Sequence, residues 1–320
     1  MHIKENNEYC FFLSRQGSQS LNMMAGFNDM PVVKETFDQA SAVLEQDLWT
    51  LMNGENTAAL NETINTQPLM LTAGIATWRV YQQLHGQNPV MLAGHSLGEY
   101  TALVAASSLA FEDAVKLVRL RAVLMQEAVP NGEGAMAAIL GLDDDGVRQV
   151  CLQAQTELSG SVVEAVNFNS PGQVVIAGST EAINRACELA KAAGAKRALP
   201  LPVSVPSHCS LMKPAAAKLA TALAQTEIKT PQIPVLHNVD VAVHSEPEAI
   251  RAGIGGTVVF TGTLTETVSK MVTEGITEFA ECGPGKVLAG LTKRIDKSAS
   301  CTAFTTVETI ENFIAAHAAS

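Results

Sequence analysis

The stretch Val90-Met91-Leu92-Ala93-Gly94-His95-Ser96-Leu97-Gly98-Glu99-Tyr100 decides how this chain is read. An apolar run leads into a serine flanked by two glycines, and a helical pattern follows through Ala106. That order is the pattern of a nucleophile elbow, whose sharp turn leaves no room for side chains at its glycines and pushes the serine out at the tip of a sheet. The helix that starts there aims its free amides at negative charge developing on a substrate. A plain strand-to-helix turn with an N-capping serine gives a similar signature. The strand before the serine and the helix after it favour the elbow.

Outward from this point, strands alternate with helices, which implies an α/β core with a mainly parallel sheet. Residues 32–44 show helical spacing. Thr66-Gln67-Pro68 is expected to open a helix over 69–84, with proline in its first turn where the missing amide costs least. A buried strand is expected over 90–93, and helices over 100–107 and 111–127. The texture changes near Pro130-Asn131-Gly132-Glu133-Gly134. Strands over 135–140, 162–167, 173–177 and 196–201, with helices over 143–155 and 180–192, give the β-α-β-β-α-β order of a ferredoxin-like unit. The proline-rich stretch 200–206 returns the chain to the larger unit.

The 320 residues, 47% of them hydrophobic, suffice for one large domain or a large and a small one. No apolar run approaches the ~20 residues that span a bilayer. The polar, acidic start does not read as a signal peptide. Six scattered cysteines form no C-x-x-C pair, so neither a zinc site nor a disulfide framework is expected, and reduced thiols in a cytoplasm are the simplest setting. A net charge of −11 argues against nucleic acid or an anionic membrane as a general partner.

An elbow serine needs a base, and histidine is the usual one. His2 is terminal, His85 ends a helix, and His244 and His317 are expected in exposed segments. His95 adjoins Ser96, but consecutive side chains diverge. His208 and His237 remain. His208 stands where an extended proline segment meets a helix, a boundary that can present a side chain into a cleft. An oxyanion hole needs two donors. The Leu97 amide is the natural first. The loop Gln16-Gly17-Ser18-Gln19 is a possible second, or an ordinary polar turn. An acidic acyl group would need a buried cation. Arg119 and Arg121 share a mostly apolar helix, and one of them pointing inward would serve.

Together these residues resemble the malonyl-CoA:acyl-carrier-protein transacylases of type II fatty acid synthesis. The likeness spans essentially the whole chain. It rests on Gln16-Gly17-Ser18-Gln19, Gln67-Pro68, Gly94 to Tyr100, Arg121, Met125-Gln126, Asn167-Phe168-Asn169-Ser170-Pro171-Gly172-Gln173, Pro206-Ser207-His208, Asn238-Val239-Asp240 and Gly283-Pro284-Gly285-Lys286-Val287-Leu288. The resemblance implies an α/β-hydrolase-like domain over 1–131 and 203–320, with a ferredoxin-like subdomain over 132–202. It also implies ping-pong chemistry. Ser96 attacks the thioester of malonyl-CoA with His208 as base, Gln16 and the Leu97 amide hold the oxyanion, and Arg121 pairs with the free carboxylate. The phosphopantetheine thiol of holo-acyl carrier protein then takes the acyl group. No metal or redox cofactor is needed, and a monomer is expected. Lys191, Lys196 and Arg197, with Lys286, Lys293 and Arg294, are candidates for docking the acidic carrier.

Two segments depart from the family pattern. Where the family has phenylalanine, proline and glycine before Gln16, this chain has Leu13-Ser14-Arg15. Where it has a segment like Gln-Leu-Tyr-x-Pro-Val-x-Trp, whose first backbone carbonyl holds the catalytic histidine, this chain has residues 257–264, Thr-Val-Val-Phe-Thr-Gly-Thr-Leu. The histidine-orienting role would fall to Thr257. Both departures fit short stretches read out of frame. The codons ACA GTT GTA TTT ACC GGT ACG CTG encode 257–264 and, one base later with a following G, give Gln-Leu-Tyr-Leu-Pro-Val-Arg-Trp. TTT CTT TCC CGG encodes 12–15 and, one base later, begins Phe-Phe-Pro-Gly. A re-routed loop at 257–264 with a poorly oriented His208, and an Arg15 that crowds the site or binds anions, are the expected consequences. A hydrolase, or a catalytically impaired scaffold, are the competing readings.

Overall fold

The computed structural model describes residues 8–203, 205–260 and 264–318. In chain order its strands are β1 (Tyr9–Leu13), β2 (Met91–Gly94), β3 (Gly134–Leu140), β4 (Val163–Ser170), β5 (Gln173–Ser179), β6 (Arg197–Pro200), β7 (Val235–Leu236), β8 (Glu278–Cys282) and β9 (Ser300–Phe304). One sheet is parallel throughout, in the order β7-β2-β1-β8-β9. The other is antiparallel, in the order β4-β5-β3-β6.

β1 is the centre of the parallel sheet, and its five side chains are all buried. Alternation along the strand sends Tyr9, Phe11 and Leu13 into one core and Cys10 and Phe12 into another. The first core holds residues of helices Pro31–Leu44, Thr63–Gln83, Leu97–Ala105 and Phe111–Ala128. The second holds residues of Leu264–Thr273 and Val287–Ile295. A strand covered on both faces reads as a continuous apolar run, which is what Tyr9-Cys10-Phe11-Phe12-Leu13 is. The Phe11 ring meets Tyr81 at 4.9 Å and Phe304 at 5.3 Å, both edge-on. Phe12 stacks on Phe279 at 5.2 Å.

The antiparallel sheet follows the expected element order, with helices Asp144–Glu157 and Thr180–Ala192 buried against one of its faces. The other face sets Met136, Val166, Val175 and Ala177 against Cys209, where the chain has returned to the larger unit. Two expectations are corrected. The helix expected to open at Pro68 starts at Thr63 and carries Pro68 inside. Thr66 Oγ1 donates to the Leu60 carbonyl at 2.6 Å and Gln67 Nε2 to Thr63 Oγ1 at 3.0 Å, side-chain bonds that offset the amide bond proline cannot make. His317 is not exposed. It packs on Phe313, with ring centroids 4.1 Å apart, and on Tyr9 at 4.9 Å.

The carboxyl ends of β1, β2 and β7 gather at one edge of the parallel sheet. From β1 the chain runs out to β2 and β7 on one side, and β8 and β9 lie on the other. Ligand crevices of open α/β sheets form at such a reversal. Helix Leu97–Ala105 comes close to β1 there: a Cβ added at Gly98 would lie 2.5 Å from the Leu13 carbonyl oxygen. Gly98→Ala is therefore expected to cost about 1–3 kcal/mol by overpacking and to lower the melting temperature by a few degrees. Gly290→Ala, at a helix position with open space around it, is the control and should leave the melting temperature unchanged or raise it. Equal melting temperatures for Gly98→Ala and the parent would show that the helix is not pressed against β1.

Candidate active site

Ser96 occupies the turn between β2 and the helix that starts at Leu97, with φ 55° and ψ −108°. That conformation is rare for a residue with a side chain and has to be held by its surroundings. A Cβ on Gly94 would fall 2.0 Å from the Gly98 carbonyl carbon, so the turn closes only with glycine at both flanks. Asn238, just after β7, clamps it from beneath. Its Oδ1 accepts the Ser96 N–H at 2.8 Å, and its Nδ2 donates to the Gly94 carbonyl. Glu99 in turn holds the clamp, accepting from the Asn238 N–H at 3.0 Å and bonding His237 Nδ1 at 2.6 Å. Glu99 and His237 are fully buried.

His208 and His95 both line the serine's cavity, and His208 is the one that comes from another segment of the chain. Its φ of 71° turns the chain sharply after Pro206-Ser207. Its backbone N–H donates to the Val258 carbonyl at 3.1 Å. Its ring Nδ1 lies 2.8 Å from the Thr257 carbonyl oxygen, which accepts only, so Nδ1 carries the proton and Nε2 is left as an acceptor. This corrects the expectation of a poorly oriented His208. Thr257 caps the C-terminus of helix Pro247–Gly256, where carbonyls lack helical partners, and a backbone oxygen there does not depend on the side chain. Residues 261–263 of the departing segment lie outside the described residues; Leu264 is buried in the second core. Burial and the nearby Arg121 and Arg15 pull the His208 imidazole down to about 3, against the opposing Thr257 bond.

Of the two candidate arginines, Arg121 points inward and Arg119 bonds Gln46 instead. Arg121 is 1% exposed. It donates from Nη1 to Gln67 Oε1 at 2.7 Å and from Nη2 to Ser96 Oγ at 3.0 Å, and stands 5.8 Å from the Tyr100 ring. Among the described residues there is no Ser96–His208 hydrogen bond; the hydroxyl is turned to Arg121. Ser96, His208, Arg121, Gln16 and Arg15 line one cavity of about 480 Å³, with Met136, Asn167 and Val175 of the antiparallel sheet on its far wall. Leu97 is buried at the head of its helix, where its N–H has no helical carbonyl. Gln16 bonds Thr63 through its side chain at 3.4 Å. A serine, a neutral histidine with a free Nε2, a helix head and a buried guanidinium around one cavity are the parts of acyl transfer to and from a group that ends in a carboxylate.

Residues 10–300 match the acyl transferase domain model. The malonyl CoA-acyl carrier protein transacylase of Escherichia coli K12 is 53% identical over 289 residues, covering 90% of this chain and 93% of that protein. The chain belongs to this family of acyltransferases. The solved transacylase of Coxiella burnetii superposes with a TM-score of 0.94 at 46% identity, covering 97% of this chain and 98% of that one. A malonyl-transacylase solved in complex with its type II polyketide acyl-carrier protein has the same TM-score at 48% identity, covering 97% and 100%.

Within the family frame, the elements that sequence reading missed are the supports. His237 stood as an alternative base, yet its ring bonds Glu99 behind the elbow and does not line the cavity. Asn238 carries no signal in the sequence beyond the motif Asn238-Val239-Asp240. Glu99 sits in the elbow helix and His237 beyond β7, and no local spacing links them. Among the described residues no group of three or more His, Cys, Asp or Glu side chains could hold a metal ion, and no helix is long and apolar enough to cross a membrane. One prediction concerns His208. Because its folded value lies below the ordinary 6.5, the ring should stay neutral as pH falls from about 8 to about 5. The unfolded chain takes up this proton near 6.5, so the group should subtract stability below that pH. Imidazole NMR shifts of the parent and His208→Gln identify the resonance; a His208 midpoint between about 6 and 7 would contradict the buried, carbonyl-held ring.

Proposed function

We propose that this chain transfers the malonyl group from malonyl-CoA to the phosphopantetheine thiol of holo-acyl carrier protein through an ester on Ser96. The observation that carries the reading is the contact of Arg121 with Ser96 Oγ at 3.0 Å: a buried guanidinium, outside any ion pair among the described residues, touching the nucleophile. A cation held dry beside a nucleophile suits an acyl group that brings its own carboxylate.

The steps follow from the positions. The malonyl carboxylate takes the Arg121 fork and releases the Ser96 hydroxyl toward His208 Nε2. The hydroxyl oxygen bonds the thioester carbon as its proton passes to Nε2, and the oxyanion lies against the Leu97 N–H and Gln16. The intermediate collapses, the carbon–sulfur bond breaks, and the CoA sulfur leaves with the proton from His208. The carrier thiol then repeats the sequence in reverse, giving its proton to Nε2 and freeing Ser96. Thr257 holds the ring through both halves. A thioester becomes a thioester by way of an ester, so the chemistry asks for no metal or redox cofactor. We read residues 1–131 and 203–320 as an α/β-hydrolase-like domain and 132–202 as a ferredoxin-like subdomain; the order β4-β5-β3-β6 and the two helices on one face support this. A reducing cytoplasm fits six free thiols, and we take the chain to act as a monomer.

The carrier surface has support from the groove between the antiparallel sheet and helix Val287–Ile295. Lys196 and Arg294, from the two basic clusters, line it together, and Arg294 Nη1 reaches Gln173 Oε1 at 3.3 Å. An acidic carrier would find local positive charge there despite the net −11.

Two predictions test this reading. Labelled malonyl-CoA should leave a stable ester on the parent protein and none on Ser96→Ala, and His208→Ala should slow labelling on the order of 10⁴-fold. In Arg121→Ala an unpaired carboxylate costs about 3–5 kcal/mol, so malonyl labelling should fall roughly hundreds-fold or more while acetyl labelling holds or rises. Rapid loss of label to water would point to a hydrolase, and full labelling of Ser96→Ala would remove the nucleophile. Separately, Lys196→Glu and Arg294→Glu should raise the KM for the carrier protein several-fold, leave that for malonyl-CoA alone, and weaken the salt dependence. An unchanged carrier KM takes this groove out of docking.

A further inference from the structure

Two guanidinium groups line the acyl cavity, and the reaction above uses one. Arg15 follows β1 and stands on the same wall as Gln16, facing the space that Ser96, Arg121 and His208 share. Its Nη1 donates to Asn169 Oδ1 on β4 at 3.1 Å, and its buried Nε has no hydrogen-bond partner. Among the described residues neither Arg15 nor Arg121 forms an ion pair. The acid that acts on Arg15 through space is Glu281 of β8. Glu281 is itself buried, its Oε2 accepts the Ala289 N–H at 2.9 Å, and burial pushes its carboxyl above the usual range. It makes no ion pair with Arg15. Two cations without an ion-pair partner on one cavity, Arg121 buried and Arg15 partly exposed, favour a ligand of opposite charge. A malonyl thioester brings one carboxylate. A free dicarboxylate brings two, one for each arginine that lines the cavity.

We propose that Arg15 and Arg121 together form a binding site for a small free dicarboxylate of malonate size, which competes with the acyl donor for the cavity. The inference rests on the transacylase reading only in taking Arg121 as a carboxylate contact; Arg15 defines the new site.

Isothermal titration calorimetry of the full-length protein with malonate, acetate and sulfate tests it. Malonate should bind the parent more tightly than acetate or sulfate. Arg15→Gln should weaken malonate by about tenfold or more, the scale of one charge-assisted contact, and Arg15→Lys should recover part of the loss. Arg15→Gly provides a second neutral variant if the glutamine protein melts early. Equal malonate affinity in the parent and in a folded neutral variant overturns the proposal. So does sulfate binding as tightly as malonate with the same loss, which would make Arg15 a general anion contact. Labelling of Ser96 by malonyl-CoA is measured on the same parent sample. Arg15-dependent malonate binding without any labelling overturns the transacylase reading and leaves the site standing. Normal labelling with Arg15-independent malonate binding does the reverse.

Discussion

The close approach of the elbow helix to the end of β1 is the constraint on which the rest of the site depends. Leu13 ends β1, and the space above its carbonyl admits Gly98 but no larger residue. That contact fixes where helix Leu97–Ala105 begins, and so where the Leu97 N–H and the Ser96 hydroxyl stand. The strained φ and ψ of Ser96 would relax in isolation. They persist because Asn238 bonds both sides of the turn, and because Glu99, from the helix itself, bonds the Asn238 backbone. The strand order makes this possible. β7 pairs with β2, which brings the Asn238 side chain within reach of Gly94 and Ser96 just past the paired residues.

What the sequence revealed was what is local. The apolar run, the flanking glycines and the helical continuation at 90–106 each have a short-range cause, and the elbow stands where they place it. The β-α-β-β-α-β unit was legible for the same reason, because its strands are bounded by turn residues such as Pro171-Gly172 and its helices by Asp143 and Thr180. The supports were not legible. Glu99 to His237, Arg121 to Gln67 and Arg15 to Asn169 join residues that only the fold brings together. The start of helix Thr63–Gln83 was missed for a related reason. Proline is a strong local signal for a first turn, and here side-chain bonds from Thr66 and Gln67 carry the helix back past it.

Charge shapes the cavity more than shape does. Its apolar wall, with Met125, Met136, Val175 and Val205, excludes water from Arg121 and His208 alike. For the arginine this means a cation whose hydration is replaced by one amide, one hydroxyl and the face of Tyr100. For the histidine it means a ring kept neutral and ready to accept a proton. The two effects reinforce each other, since Arg121 is among the charges that keep His208 unprotonated. A carboxylate arriving at Arg121 therefore does two things at once. In the proposed reaction it fills the guanidinium fork, and it lessens the repulsion against a positive charge forming on His208 as the serine loses its proton.

The altered segment after Gly256 shows why a catalytic contact made by the backbone can outlast its side chains. His208 is held by two successive carbonyls, Thr257 on the ring and Val258 on the main-chain N–H. Both belong to the end of helix Pro247–Gly256, where carbonyl oxygens point outward without helical partners and carry the negative end of the helix dipole. The position of that helix is set by Ile250 and Ile254 in the main core and by the close fit of Gly253 against His237. None of these residues lies in the departing segment. The side chains at 257 and 258 can thus change while the oxygens stay in place, provided the helix ends at the same residue. The same logic does not protect residue 15, where the departure adds a long cation to the cavity wall and changes its electrostatics directly.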